Sequence, residues 1–357
     1  MGRISWIMLR EDKDLAFMLR YENVAWYENG SVKILDRRIY PTKVEFVTCN
    51  SYKDVAKAIT DMVTQSAGPY TAASMGMALA AYECKDMSKE KMLSYLENAA
   101  YTLSHARPTT VIRMSQITEG CLEVAKLAIE NGELVDESIF RHTINSLNRR
   151  YSTMEKVGEY LVEMFPRKGN IMTQCFGETI VGMMLRVAKR ENKDIKLFVP
   201  ETRPYFQGAR LTASVAYDQG FDTTVITDNM PAFVMKNKKI DLFTSAADVI
   251  CLDGHIANKI GTYQIAIAAK YHEVPYFVTG IPDKGHETFS SVTIEERDPK
   301  LVLEARGVKN TLEGVKGYYP SFDITPPHLI SGIVTDKGIY SPYDLNNYFK
   351  TAVKQYY

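Results

Sequence analysis

Between Ala247 and Tyr263 the chain reads Ala247-Asp248-Val249-Ile250-Cys251-Leu252-Asp253-Gly254-His255-Ile256-Ala257-Asn258-Lys259-Ile260-Gly261-Thr262-Tyr263. Asp248 opens a short apolar strand, a polar turn with Gly254 follows, and Asn258-Lys259 stands at the mouth of a small-residue helix. Strand-to-helix edges are where α/β proteins place ligands. A lysine beside free helix N-terminal amides suits an anion. The segment therefore offers an acid next to an anion cradle, as chemistry on a sugar phosphate requires. Asp248 would serve equally as an acceptor of backbone N–H groups at a strand edge. An acid-base role needs it near a substrate, in a poorly solvated pocket that raises its pKa.

Other polar clusters follow strands in the same way. Met172-Thr173-Gln174-Cys175-Phe176-Gly177-Glu178-Thr179 sets a cysteine between a strand and a helix, where N-terminal amides lower a thiol pKa; a lone cysteine is otherwise a small buried hydrophobe. The loop from Pro200 to Thr212 carries Glu201, Arg203, Gln207, Gly208 and Arg210 between stiffening prolines. It reads either as an ion pair with a helix cap or as an anchor for an anionic, polyhydroxylated ligand. Asp228 closes the next strand as a ligand group or a helix cap. Arg107, in His105-Ala106-Arg107-Pro108-Thr109, is a capping-segment residue or an inward phosphate ligand, with Pro108 near the first helical position.

These loops need a scaffold, and its rhythm changes along the chain. Trp26 to Leu35 predicts a hairpin turning on Asn29-Gly30. Helical patterns run over 52–65, with Ser51 and Asp54 as a capping box, then over 71–83, 89–104, 110–131, with Gly132 as stop, and 136–165. After Pro166-Arg167-Lys168-Gly169, short apolar runs at 170–173, 195–200, 223–227, 248–252 and 276–279 alternate with helical stretches, with one more strand at 332–335. Runs without strict alternation indicate strands buried on both faces, hence βαβ units. The expected fold is α/β: a mainly helical N-terminal domain with a small sheet (1–145) and a Rossmann-like parallel-sheet domain (146–357), the boundary falling inside a long helix.

Composition narrows the function classes. The 357 residues carry 43 basic and 43 acidic side chains, which argues against nucleic acid or an anionic membrane as the partner. Five scattered cysteines without a CxxC pair suit a reducing, cytoplasmic setting. No apolar run is long enough to span a bilayer, a secretory leader is not evident, and Trp6 spoils a Gly2 acylation motif. The six histidines show no ligand spacing, so no metal is expected. G-x-G-x-x-G, Walker A and G-x-S-x-G signatures are missing, so neither a nucleotide cofactor nor a serine nucleophile is expected.

Taken in order, Ala106-Arg107-Pro108-Thr109, Thr173-Gln174-Cys175, Glu201-Thr202-Arg203-Pro204, Gln207-Gly208-Ala209-Arg210-Leu211-Thr212, Ile226-Thr227-Asp228, Ala247-Asp248, Ala257 to Tyr263, and Ser321-Phe322-Asp323-Ile324-Thr325-Pro326 resemble the methylthioribose-1-phosphate and 5-deoxyribose-1-phosphate isomerase family. Its wider superfamily includes ribose-1,5-bisphosphate isomerases and the regulatory subunits of initiation factor 2B. The resemblance spans nearly the whole chain. It implies metal-free, cofactor-free aldose-ketose isomerisation of a 5-substituted ribose 1-phosphate to the ribulose 1-phosphate, in methionine or 5-deoxyribose salvage, by a homodimer. Cys175 and Asp248 would be catalytic. Arg107, Gln207 and Lys259 would hold phosphate, with Asn258 nearby. The chain departs from the family where Arg-Gly-Ala-Pro is replaced by Ser66-Ala67-Gly68-Pro69, which loses one phosphate arginine and leaves backbone amides around Gly68 to serve. Thr-His-Cys-Asn becomes Thr173-Gln174-Cys175-Phe176, and Asn-Gly-Asp becomes Asp253-Gly254-His255. The expected roles are Asp248, protonated by an apolar pocket, as acid on the ring oxygen, and Cys175 thiolate as base at C2; a direct hydride shift, with Cys175 handling a hydroxyl proton, is the other route. The alternatives are a ribose-1,5-bisphosphate isomerase and a non-catalytic initiation-factor-like subunit.

Overall fold

A computed structural model describes residues 10–107 and 110–350. The expectations placed on Gly2, Trp6, Pro108 and Thr109 lie outside these residues. The chain divides into two compact units, one ending at Ser152 and the other beginning at Thr153. The division falls within a single long helix, α6, described below.

In the first unit the short helix α1 (Tyr21–Val24) leads into β1 (Ala25–Glu28), β2 (Ser31–Leu35) and β3 (Phe46–Cys49). They form one antiparallel sheet in the order β1-β2-β3. Asn29 and Gly30 have φ of 49° and 78°, as the two-residue hairpin turn demands. Helices α2 (Tyr52–Thr60), α3 (Gly68–Glu83), α4 (Lys89–Ser104), α5 (Val111–Asn131) and α6 (Val135–Glu163) complete the unit. The Ser51/Asp54 capping box is present, and Gly132 ends α5 in the left-handed region. α2 stops five residues before the expected Gln65: Met62 has φ 60°, and the Val63 N–H turns back to the Ala58 carbonyl at 3.0 Å. α3 is apolar all round, so it is buried on nearly every side.

The second unit is a doubly wound sheet. Its elements are β4 (Lys168–Met172), α7 (Thr179–Arg190), β5 (Asp194–Pro200), α8 (Ala213–Asp218), β6 (Asp222–Ile226), α9 (Pro231–Lys238), β7 (Ile240–Ala246), β8 (Val249–Ile250), β9 (Ile256–Lys259), α10 (Thr262–Tyr271), β10 (Tyr276–Thr279), α11 (Lys300–Leu303), β11 (Glu304–Ala305), β12 (Val308–Lys309), β13 (Phe322–Thr325), β14 (Gly332–Thr335), β15 (Gly338–Tyr340) and α12 (Asn346–Lys350). The main sheet runs β15-β14-β10-β7-β4-β5-β6, all parallel except the edge strand β15. Met172, Phe243, Tyr276, Val278 and Ile333 pack its core with Ile265 and Ala266 of α10.

One strand differs from expectation. The parallel strand in this region is β7, and Asp248 lies two residues beyond its end. Val249 and Ile250 pair instead with β9, in a separate antiparallel sheet ordered β13-β9-β8. β7 escaped the apolar pattern because Asp241, Thr244 and Ser245 interrupt it. The Asp241 carboxylate is nonetheless used, accepting the Asn170 N–H at 2.8 Å beside the irregular β4–β7 register.

Candidate active site

Strand order places the candidate residues. From β4 the chain winds outward through β5 and β6, then returns to lay β7 on the other side of β4. The order therefore reverses between β4 and β7. Beyond the carboxyl ends of two such strands a crevice opens, and open α/β sheets bind ligands there. Cys175 follows β4 by three residues and Asp248 follows β7 by two. Gln207 belongs to the loop after the neighbouring strand, β5.

The loops are held in unusual backbone conformations. Cys175 has φ 59° and Glu178 φ 48° after β4; Thr202 has φ 62° and Phe206 φ 57° after β5. A β-branched residue such as Thr202 is rarely found there, and such strain gathers where geometry serves function. Named contacts hold it. The Thr212 hydroxyl donates to the Cys175 carbonyl. The Thr202 and Arg203 N–H groups donate to the two carboxylate oxygens of Asp228, at 2.8 and 2.7 Å. Asp228 thus stabilises the β5 loop, which is neither of its expected roles: the following helix starts at Pro231 without a side-chain cap. Gly208 packs so closely that a Cβ would lie 1.8 Å from the Pro200 carbonyl oxygen, so only glycine fits at that position. From Gly208 to Thr212 the chain forms a π-helical turn, a feature common at functional sites.

Arg210 and Arg203 are anchors for this loop. The Arg210 guanidinium donates to the Tyr205 carbonyl at 2.6 and 3.0 Å. One Arg203 nitrogen donates to the carbonyls of Leu301, Val302 and Glu304 at 3.1–3.4 Å. Gln207 is buried, and its amide oxygen finds no hydrogen-bond partner among the described residues. The same holds for the Thr173 hydroxyl and the Gln174 amide oxygen, immediately before Cys175. Unsatisfied buried polar atoms are uncommon enough that each calls for an explanation, and two of these three directly precede the thiol in sequence.

The Cys175 thiol is not activated in the expected direction. Burial pushes its pKa up to about 12, outweighing the positive charge of Lys259, which draws it down; Asp248 and Asp228 push it further up. These influences place Lys259, Asp248 and Asp228 within electrostatic reach of the sulfur. The proton therefore stays on sulfur at neutral pH. Asp248 differs from expectation as well: it is exposed, without an enclosing apolar pocket, while its N–H donates to the Ala257 carbonyl at 2.9 Å.

The anion cradle at α10 is partly capped from within the fold. Asn258 and Lys259 are buried and end β9, with Gly261 (φ 102°) turning the chain into the helix. Two of the amides at this helix start are taken by a side chain that the sequence alone does not mark for that role. The Asp323 carboxylate accepts the Gly261 N–H at 2.7 Å and the Tyr263 N–H at 3.1 Å. Burial pushes Asp323 up to about 6, although those N–H groups and Lys259 pull the other way. The Asn258 amide donates to the Thr262 hydroxyl at 3.0 Å. Asp253, where the chain departs from the commonest pattern, accepts the N–H groups of His255 and Phe289, each at 3.1 Å, and so shapes a loop.

Gly68 and Arg107 belong to the first unit. The Gly68 N–H donates to the Gln65 carbonyl at 3.1 Å, so that amide is committed to its own turn rather than to an incoming anion. Arg107 is half-buried in the turn after α4, its carbonyl accepting the Thr110 N–H at 3.3 Å. Among the described residues no group of three or more His, Cys, Asp or Glu side chains is arranged to hold a metal ion. None of their helices is long and apolar enough to cross a membrane.

A doubly wound sheet with a thiol, a carboxylate and a lysine gathered at its switch point is the architecture of an α/β protein that handles a small polar ligand. The chain belongs to the Initiation factor 2 subunit family, matched over residues 65–342. It is 34% identical over 331 residues to the methylthioribose-1-phosphate isomerase of Chloroflexus aurantiacus, covering 89% of this chain and 94% of that one. It is 35% identical over 335 residues to the enzyme of that name from Caldanaerobacter subterraneus, covering 88% and 95%. Among solved structures it resembles 5-methylthioribose 1-phosphate isomerase from Pyrococcus horikoshii (TM-score 0.81, 30% identity, 93% of this chain and 98% of that one). It is about as similar to the delta subunit of translation initiation factor eIF-2B from A. fulgidus (TM-score 0.80, 29% identity, 92% and 99%). The fold thus does not separate enzyme from subunit, and the site has to.

Proposed function

We propose that this chain is an aldose-ketose isomerase that converts a 5-substituted ribose 1-phosphate into the ribulose 1-phosphate. 5-Methylthioribose 1-phosphate is the favoured substrate and 5-deoxyribose 1-phosphate the second, in the corresponding cytoplasmic salvage of methionine or deoxyribose. The observation that carries this is the placement of Cys175 and Asp248 beyond β4 and β7 at the switch point, with Lys259 acting on the thiol. A regulatory subunit has no use for that set.

In a ribose 1-phosphate the anomeric oxygen is esterified, so the ring oxygen must gain a proton as the C1–O4 bond breaks. Burial leaves a proton on Cys175. The thiol is therefore the donor to O4, and Lys259 compensates the thiolate that forms. Hydrogen then passes from C2 to C1 as a hydride while Asp248 accepts the 2-hydroxyl proton, leaving the C2 ketone. One proton leaves the pair and one enters it, so proton exchange resets the site. This reverses the roles that sequence alone suggested for the pair. Lys259, Gln207, Asn258 and Arg107 are the proposed phosphate and sugar ligands. Product formed in D2O is expected to carry no solvent deuterium at C1; deuterium there would put an enediol in place of the hydride.

The C5 substituent is settled by kcat/KM measured side by side on the methylthio, deoxy and 5-phospho sugars. An apolar pocket separates the first two by only about 1–3 kcal/mol. Preference for the bisphosphate would move the chain to the other sugar-phosphate isomerases. Tyr263, Ile267 and Tyr271 are exposed at every fourth position of α10, with Met230 and Phe233 exposed at and near the start of α9. We infer that a second copy covers this stripe; light scattering is expected to give about twice the 40.4 kDa chain mass, and the chain mass itself would refute the homodimer.

A further inference from the structure

Lys259 is a long, flexible cation that must meet a phosphate in one place, although two amides at the helix end beside it are already bonded. A strand remote in sequence helps to fix it. β13 pairs antiparallel with β9, setting Phe322 opposite Lys259 and Asp323 opposite Asn258. Directly opposed residues on one sheet face are the closest side-chain neighbours a strand offers. The Lys259 ammonium lies over the Phe322 ring, 4.5 Å from its centroid, a separation at which the negative ring face attracts a cation. The next residue, Asp323, holds the turn that follows Lys259 through the Gly261 and Tyr263 N–H groups. The Ile260 N–H, between them, donates to the Ser321 carbonyl at 3.0 Å. Every residue from Lys259 to Gly261 is thus paired with, or bonded to, the run Ser321–Asp323.

We propose that Phe322 and Asp323 are positioning residues for Lys259: the ring fixes the ammonium and the carboxylate fixes the turn behind it, so that phosphate meets a single preset cation. The proposal rests on Lys259 as the phosphate ligand. Asp323 has a second consequence. Because it takes the Gly261 and Tyr263 N–H groups at the start of α10, it denies those two donors to the substrate and leaves Lys259 as the cation on this strand.

The test is steady-state kinetics on 5-methylthioribose 1-phosphate, with inorganic phosphate as a competitive inhibitor, for Phe322→Leu, Phe322→Tyr, Asp323→Asn and Lys259→Met. Phe322→Leu keeps an apolar side chain but removes the ring. It is expected to raise KM and the phosphate Ki together by about 3- to 30-fold, the range of a partly desolvated cation–π contact, with kcat within about twofold. Phe322→Tyr keeps the ring and is expected to restore both constants. Asp323→Asn keeps a good helix-capping residue but offers only one acceptor oxygen to two N–H groups, and it is expected to move KM and Ki in the same direction. It also serves if Phe322→Leu does not fold. Unchanged KM and Ki in Phe322→Leu and Asp323→Asn, while Lys259→Met raises both, would overturn the positioning role alone. Unchanged constants in Lys259→Met would overturn the phosphate role of Lys259 on which it rests.

Discussion

Replacing Cys175 by serine is expected to lower kcat by on the order of 10³-fold, about 4 kcal/mol of barrier, with KM and thermal stability close to those of the parent. The backbone at Cys175 does not depend on its sulfur: the φ of 59° persists, and Thr212 still holds the carbonyl. What serine loses is a proton donor whose conjugate base Lys259 can compensate, because an alkoxide is far more basic than a thiolate. The pH profile provides a second readout. An ordinary thiol titrates near 9, whereas burial pushes Cys175 up to about 12. If the protonated thiol is the active form, kcat/KM falls as pH rises through that value and holds across the range where an exposed thiol would already have ionised. A serine variant within tenfold of the parent, or an alkaline limb near 9 that vanishes in the variant, would contradict the assignment.

Asp248→Asn is expected to cost a similar factor, on the order of 10²- to 10⁴-fold in kcat, by removing the acceptor of the 2-hydroxyl proton while keeping size and shape. Asp248 is exposed, and its N–H bond to the Ala257 carbonyl is made by the backbone and is kept in the variant. The two residues serve successive steps, ring opening and loss of the 2-hydroxyl proton, so the slower step sets the rate. The double variant Cys175→Ser/Asp248→Asn is therefore expected to be little worse than the weaker single variant. Multiplied losses would mean that both act in one transition state.

Much of this site was legible because local chemistry marks it. Asn29-Gly30, the Ser51/Asp54 box and Gly132 each state their own backbone requirement within a few residues. The strands β4, β5, β10 and β14 are short apolar runs, and the polar loops beyond them announce ligand-facing ends. β7 hid because Asp241, Thr244 and Ser245 break its pattern, two of them bonded to neighbouring strands: Asp241 by the Asn170 N–H, Ser245 by the Tyr276 hydroxyl at 2.6 Å. With β7 unseen, Asp248 was given to a strand start when it stands beyond a strand end. The fate of the α10 cradle was illegible for another reason. Its occupant, Asp323, lies 62 residues from Gly261 in sequence, and only the pairing of β13 with β9 brings them together. The string Ser321 to Pro326 was the available signal, but nothing within it says which amides its aspartate will cap. Thiol activation failed as a local rule because position at a helix start favours thiolate, while the burial that opposes it is a property of the whole fold.

Turnover of 5-methylthioribose 1-phosphate by the purified protein, followed by carbon NMR for the appearance of the C2 ketone, decides between isomerase and non-catalytic subunit. The predicted result is conversion to the 1-phosphoketose without added metal or nucleotide, abolished in Cys175→Ser and in Asp248→Asn. A folded protein that leaves this sugar and its 5-deoxy counterpart unchanged would contradict it and return the chain to the non-catalytic branch of its family.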